Sequence, residues 1–201
     1  MTYQELINHI RDLGFSDDDE MEEFGELVPN SINRAIHEIS MSVPAETPNL
    51  GSYVFQLTDA DEGLVYIDMT DADDGFLCFA DTEMMLQKTG DGFYKRFTAF
   101  EVMNENTLII DADEYKGEFK VLFKKAHTPF TIDSDRTTQV PVSKKYHHLV
   151  ALLAAYYVWL EDEPSKATQY FNMYKTDLNE TLSSIANSSS KLKIRVLPGG
   201  I

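Results

Sequence analysis

A single cysteine, Cys78, among 201 residues leaves no partner for an intrachain disulfide. Basic residues are scarce as well: 17 Lys and Arg stand against 34 Asp and Glu, giving a formal net charge of -17. A surface so negative repels phosphate, which disfavours autonomous nucleic-acid binding but leaves open a conduit whose walls repel passing DNA. No apolar run is long enough to span a bilayer; the longest, near residues 149–160, is short and flanked by polar residues. The start, Met1-Thr2-Tyr3-Gln4-Glu5, has neither the basic nor the apolar region of a secretory signal. There is also no phosphate-cradling glycine loop, no Gly-x-Ser-x-Gly elbow and no Cys–His pairing of recognisable spacing. These absences lead to the expectation of a non-enzymatic protein without a cofactor, metal or membrane contact, made in a reducing cytoplasm.

What the chain does contain is an apolar helix pair. Tyr146-His147-His148-Leu149-Val150-Ala151-Leu152-Leu153-Ala154-Ala155-Tyr156-Tyr157-Val158-Trp159-Leu160 reads as one helix that is apolar almost all round. Pro164, after Glu161-Asp162-Glu163, cannot continue it but suits the first turn of a second helix, so the two should fold back as an antiparallel hairpin. A helix of this kind must be covered on several sides, by a bundle or by a neighbouring subunit. Leu149, Leu152, Leu153, Tyr156 and Leu160 are the expected bundle core. In the second arm Ala167, Tyr170, Phe171, Tyr174, Leu178 and Leu182 give one apolar face.

Helical spacing also marks the beginning of the chain. Thr2-Tyr3-Gln4-Glu5 is a capping box ahead of Leu6, Ile7, Ile10 and Leu13, with Gly14 as the stop. The acidic run Asp17-Asp18-Asp19-Glu20 suits the positive end of a second helix, bent or restarted by Pro29. Ile32, Ala35, Ile36, Ile39 and Val43 give a third amphipathic face, closed by Pro44. Between Pro44 and Pro141 the period changes: segments near 52–57, 63–69, 76–80, 93–103, 106–111 and 118–125 are rich in aromatic and β-branched residues and separated by Asp, Gly and Asn clusters. Thr89-Gly90-Asp91-Gly92 and Asn104-Glu105-Asn106 read as hairpin turns, the second without glycine. Residues 126–142 read as a surface connection. The expected architecture is α+β: N-terminal helices over 1–44, an inserted antiparallel β-sandwich or small barrel over 45–142, a helical hairpin over 143–187, and an extended arm over 188–201.

Three constellations invite a chemical reading. Thr58-Asp59-Ala60-Asp61-Glu62-Gly63 is echoed by Thr70-Asp71-Ala72-Asp73-Asp74-Gly75 and partly by Asp111-Ala112-Asp113-Glu114. Clustered carboxylates before a glycine suit calcium. Each glycine, however, comes one position too early for an EF-hand and no closing Glu follows, so soluble Asp-Gly turns are the plainer reading. His147 and His148, adjacent on a helix, point about 100° apart and cannot share a metal, while His9, His37 and His127 are isolated. In the arm, Leu192, Ile194 and Val196 alternate with Lys191, Lys193 and Arg195, a strand pattern suited to a neighbour's sheet edge or an acidic groove.

Taken together, the helix carrying Asn33-Arg34-Ala35-Ile36-His37-Glu38, the β-rich insertion, and the late pair from Tyr146-His147-His148-Leu149-Val150 through Ala154-Ala155-Tyr156 to Asp162-Glu163-Pro164, Ala167 and Tyr170-Phe171 resemble the head-to-tail connector, or adaptor, proteins of tailed bacteriophages. The resemblance covers both helical flanks, about half the chain, and lies in layout. It implies a helical bundle, a homo-oligomeric ring under the portal in the virion neck, and a C-terminal arm reaching the portal or a neighbour. The implied partners are the portal, the next tail or neck protein, and DNA passing without specific binding. The competing expectation is a monomeric β-rich module binding calcium or carbohydrate on helical supports.

Overall fold

A computed structural model of the chain describes residues 1–15, 23–44, 49–72, 75–80 and 84–189. Among them are four α-helices and two antiparallel sheets, a mixed α+β fold with the helices at the two ends of the chain. Helix α1 (Tyr3–Gly14) opens on the expected capping box: Glu5 N–H donates to Thr2 Oγ1 at 3.2 Å and Thr2 N–H to Glu5 Oε2 at 2.7 Å. Helix α2 (Leu27–Ser42) begins earlier than its apolar spacing alone suggested. Pro29 is its third residue, where the N–H that proline lacks has no intrahelical acceptor in any case. Asp17, placed above at the start of a further helix, lies outside the described residues.

The β region holds two sheets. One has β1 (Leu50–Leu57), β8 (Gly117–Lys125), β4 (Met85–Lys88) and β5 (Tyr94–Arg96) in that order, with β3 (Phe76–Phe79) sharing one flank of β8 with β4. The other has β2 (Leu64–Asp68), β7 (Thr107–Asp111) and β6 (Glu101–Met103). Two readings from sequence change here. The segment 93–103 is two strands in different sheets, because Phe97 turns inward and packs edge-on against Tyr115 and Phe119, ring centroids 5.0 and 5.1 Å away. β4 went unforeseen, since Met85-Leu86-Gln87-Lys88 has no β-branched or aromatic residue. A buried cluster centred on Phe119, Val121, Phe123, Leu108 and Met85 fills the space between the sheets.

The β6–β7 hairpin turns without glycine. Asn104 and Glu105 both have positive φ, 53° and 65°, in the left-handed region that Asn tolerates and Glu does not favour. Glu105→Gly is therefore expected to raise stability by about 0.5 to 1 kcal/mol, the strain relieved less the extra backbone freedom glycine loses on folding. Urea unfolding measures it; an unchanged midpoint would mean Glu105 carries no strain.

Helices α3 (His147–Trp159) and α4 (Pro164–Ser189) form the antiparallel hairpin, with Pro164 as the first residue of α4. Contacts with α1, α2 and α4 surround α3, so the demand for cover set by its apolar circumference is met within one chain. Leu149, Leu152 and Leu153 are buried; Tyr156 is half-buried and stacks on Phe171 at 4.8 Å. Leu160 is not in the core: it is the residue capping the end of α3 and is 38% exposed where the chain turns toward Pro164. The connection 126–142 also does more than run over the surface. Phe130, Val140 and Val142 are buried in the helical core, Phe130 stacks on Tyr3 at 4.3 Å, and the backbone of 136–140 bonds to that of Met1, Tyr3 and Gln4.

One side chain fastens the β region to the bundle. Lys124, in β8, is 5% exposed, and its Nζ donates to the carbonyls of Ser40 (2.7 Å), Met41 (3.0 Å) and Val43 (2.7 Å). These are the orphan acceptors at the C-terminal end of α2, where the helix dipole also favours a cation.

Candidate functional site

The Asn33–Glu38 element sits at a junction of α2, α3 and the connection. Asn33 donates Nδ2–H to the Phe130 carbonyl and accepts the Phe130 N–H at Oδ1, both at 2.8 Å, so one amide satisfies both backbone groups of a buried residue. His127 Nε2 lies 3.3 Å from the same Oδ1, and burial lowers the His127 pKa below its usual value. The next residue, Arg34, stacks over the Tyr157 ring at 4.0 Å and pairs with Glu38, one turn on, at 3.6 Å, while the Tyr157 hydroxyl donates to Glu38. Burial, then the Glu38 bond, raises the Tyr157 pKa. Asn33, Arg34 and Glu38 are thus joints between α2, α3 and the connection, while His37 of the same element is exposed.

A second polar chain crosses α1, α3 and α4. His9 Nε2 lies 3.1 Å from His148 Nδ1, and His148 Nε2 lies 3.2 Å from Asp177 Oδ2. With His148 donating to Asp177, its other nitrogen accepts from His9. Burial, and the neighbouring His148, lower the His9 pKa. His147 points elsewhere, into the core, 3.0 Å from the Val142 carbonyl. Among the described residues no group of three or more His, Cys, Asp or Glu is placed to hold a metal ion. Cys78 is half-buried, and burial pushes its thiol pKa up, away from the thiolate that nucleophilic chemistry needs.

The first Asp-Ala-Asp turn already holds a cation. Asp61 Oδ2 accepts from Thr58 N–H (2.7 Å) and Oγ1 (2.9 Å), which keeps its carboxyl below the usual range, and Lys116 Nζ donates to the carbonyls of Thr58 and Asp61. An ammonium sits where a calcium ion would draw on the same carbonyls. Asp73 and Asp74 of the echo lie outside the described residues. Millimolar calcium is expected to leave the melting temperature unchanged, since only a ligand bound selectively to the folded state raises it. A rise of several degrees that disappears when Asp59 and Asp71 are changed to Asn would overturn this.

Two surfaces remain. An open groove of about 550 Å³ runs between α1, the start of α2 and the connection, with Arg11 and Arg136 among its lining residues. The exposed large apolar side chains fall mostly on the β region, at Leu50, Val54, Leu64, Tyr66, Phe93, Tyr94, Val102 and Met103. The arm residues Lys191, Leu192, Lys193, Ile194, Arg195 and Val196 lie outside the described residues. No protein-family model matches the chain, and no curated protein matches it.

Proposed function

We propose that this chain is a structural protein of a tailed-phage virion, a ring-forming adaptor that joins the portal to the tail and lines the DNA channel. The observation that carries the reading is the layout: a bundle built from both ends of the chain, with a β module set between its second and third helices and keyed to α2 by Lys124. The residues behind the resemblance are structural in kind, Asn33 and Glu38 joining helices and Leu149 to Ala155 filling the bundle, as a scaffold protein requires. A charge of -17 suits walls past which DNA slides without sticking. Because α3 is covered by its own chain, contacts between copies fall to other surfaces, and the exposed apolar residues of the β module are the natural ones.

Imaging of the protein in purified particles, with native mass measurement after mixing with portal, tests this. A ring at the neck is expected; a single copy per particle, or absence from the neck, would end the proposal. Removing residues 190–201 is expected to leave the thermal stability of the monomer within about 1 kcal/mol, as for a segment outside the core, but to weaken incorporation into the ring, more so at raised salt because exposed charge pairs are screened. A truncated chain that melts much earlier would put the arm in the monomer's own fold.

A further inference from the structure

The three-stranded sheet leaves one edge open in a specific way. Ala112 N–H donates to the Gly63 carbonyl at 2.8 Å and Met69 N–H to the Asn106 carbonyl at 2.9 Å. With the antiparallel register running from Leu64↔Asp111 to Asp68↔Thr107, these bonds fix which residues of β2 face β7. Gly63, Val65, Ile67 and Met69 exchange hydrogen bonds with it, so the backbone groups of Leu64, Tyr66 and Asp68 point the other way. Among the described residues no strand lies on that side. Leu64 and Tyr66 are also 57% and 56% exposed. The opposite edge offers less: the same alternation leaves only Val102 of β6 facing outward. An exposed apolar edge with outward donors and acceptors is a template for another strand.

The chemistry of the two faces defines what fits. On the inner face Val65 and Ile67 are half-buried against the β core, so a strand laid beside them covers more apolar surface if its inward residues are aliphatic. On the outer face the register places Asp68, Asp111 and Glu101 around Tyr66 and Ile109, which favours cations pointing outward, one of them within reach of the Tyr66 ring. The chain itself contains a segment of this pattern in Lys191-Leu192-Lys193-Ile194-Arg195-Val196, following α4.

We infer that the open edge of β2 receives residues 191–196 of an adjacent copy as an added strand, with Leu192, Ile194 and Val196 over Val65 and Ile67 and with Lys191, Lys193 and Arg195 among the outer carboxylates. The inference rests on the ring reading, which supplies the adjacent copy. It also names one inter-subunit contact and accounts for the three cations clustered in an acidic chain.

Two measurements on the full chain test it. Free peptide 190–201 is added and amide hydrogen exchange is followed: Leu64 and Tyr66 are expected to slow at least fivefold, and Val65 and Ile67, already bonded to β7, to change little. A peptide of the same composition with its basic residues in one block, or the Asp68→Lys chain, should show at least fivefold less slowing. No slowing, or equal slowing by both peptides, overturns the site. In the second, a Tyr66→Cys chain and a Lys193→Cys chain, both with Cys78→Ser and carrying different tags, are mixed and oxidised. A disulfide between tags is expected, and a chain bearing both cysteines that links only to itself overturns the assignment to an adjacent copy. Protein that passes both tests but is absent from the neck of particles loses the ring reading alone; a ring that assembles normally from the Asp68→Lys chain loses the strand alone.

Discussion

Leu153→Ala is expected to lower stability by about 2 to 5 kcal/mol, the lost transfer free energy of the side chain plus a cavity the surroundings only partly fill. The upper half of that range is favoured by position. Leu153 is fully buried in α3, a helix that contacts α1, α2 and α4, so the cavity would open inside the bundle, away from solvent. Trp159, the one tryptophan, lies in the same helix, packed against Phe15 and Phe24 with the Lys166 ammonium 3.3 Å over its ring. Its fluorescence during urea unfolding reports the bundle directly. A loss below half a kcal/mol would mean that α3 is not the centre of the bundle.

Lys124→Met should cost about 3 kcal/mol, because it removes charge-assisted bonds and leaves the carbonyls at the end of α2 short of a buried donor. Methionine keeps much of the aliphatic stem, so the loss reads the ammonium and not the packing. Its distribution is as informative as its size. The Lys124 contacts tie β8 to the end of α2, so the Trp159 signal should fall at lower urea although the substitution lies in a strand. If Trp159 unfolding is unmoved while the β region melts earlier, the ammonium does not couple the two parts.

Both predictions draw on features of unequal legibility. The capping box at Thr2, the proline opening α4 and the apolar run of α3 are local, and local pattern was enough to locate them. Strands β4 and β5 were harder, since Met85-Leu86-Gln87-Lys88 owes its conformation to β8 beside it and the break at Phe97 owes its place to Tyr115 and Phe119. The joints were not legible at all. That Lys124 reaches α2, that Lys116 serves the first acidic turn, and that His9, His148 and Asp177 line up across three helices depend on residues far apart in the chain being brought together. A lysine in a strand or a histidine at a helix start carries no mark of which distant carbonyl or carboxylate it will meet. Leu160 shows the opposite error: its spacing matches the core, but it caps the helix end and turns outward.

The order in which the bundle's pieces leave the ribosome follows from the place of the β insertion. α1 and α2 are made first, yet the helix they pack on begins at His147, after the whole β region has been synthesised. Until then their apolar faces have no lasting partner, and closing so long a loop as free chain is entropically unfavourable. The β region is contiguous and can form its own core meanwhile. Once it has, Lys124 can take hold of the end of α2, and the loop to be closed shrinks from the full insertion to the short connection after β8. The insertion is then also the device by which the two ends of the chain find each other in time.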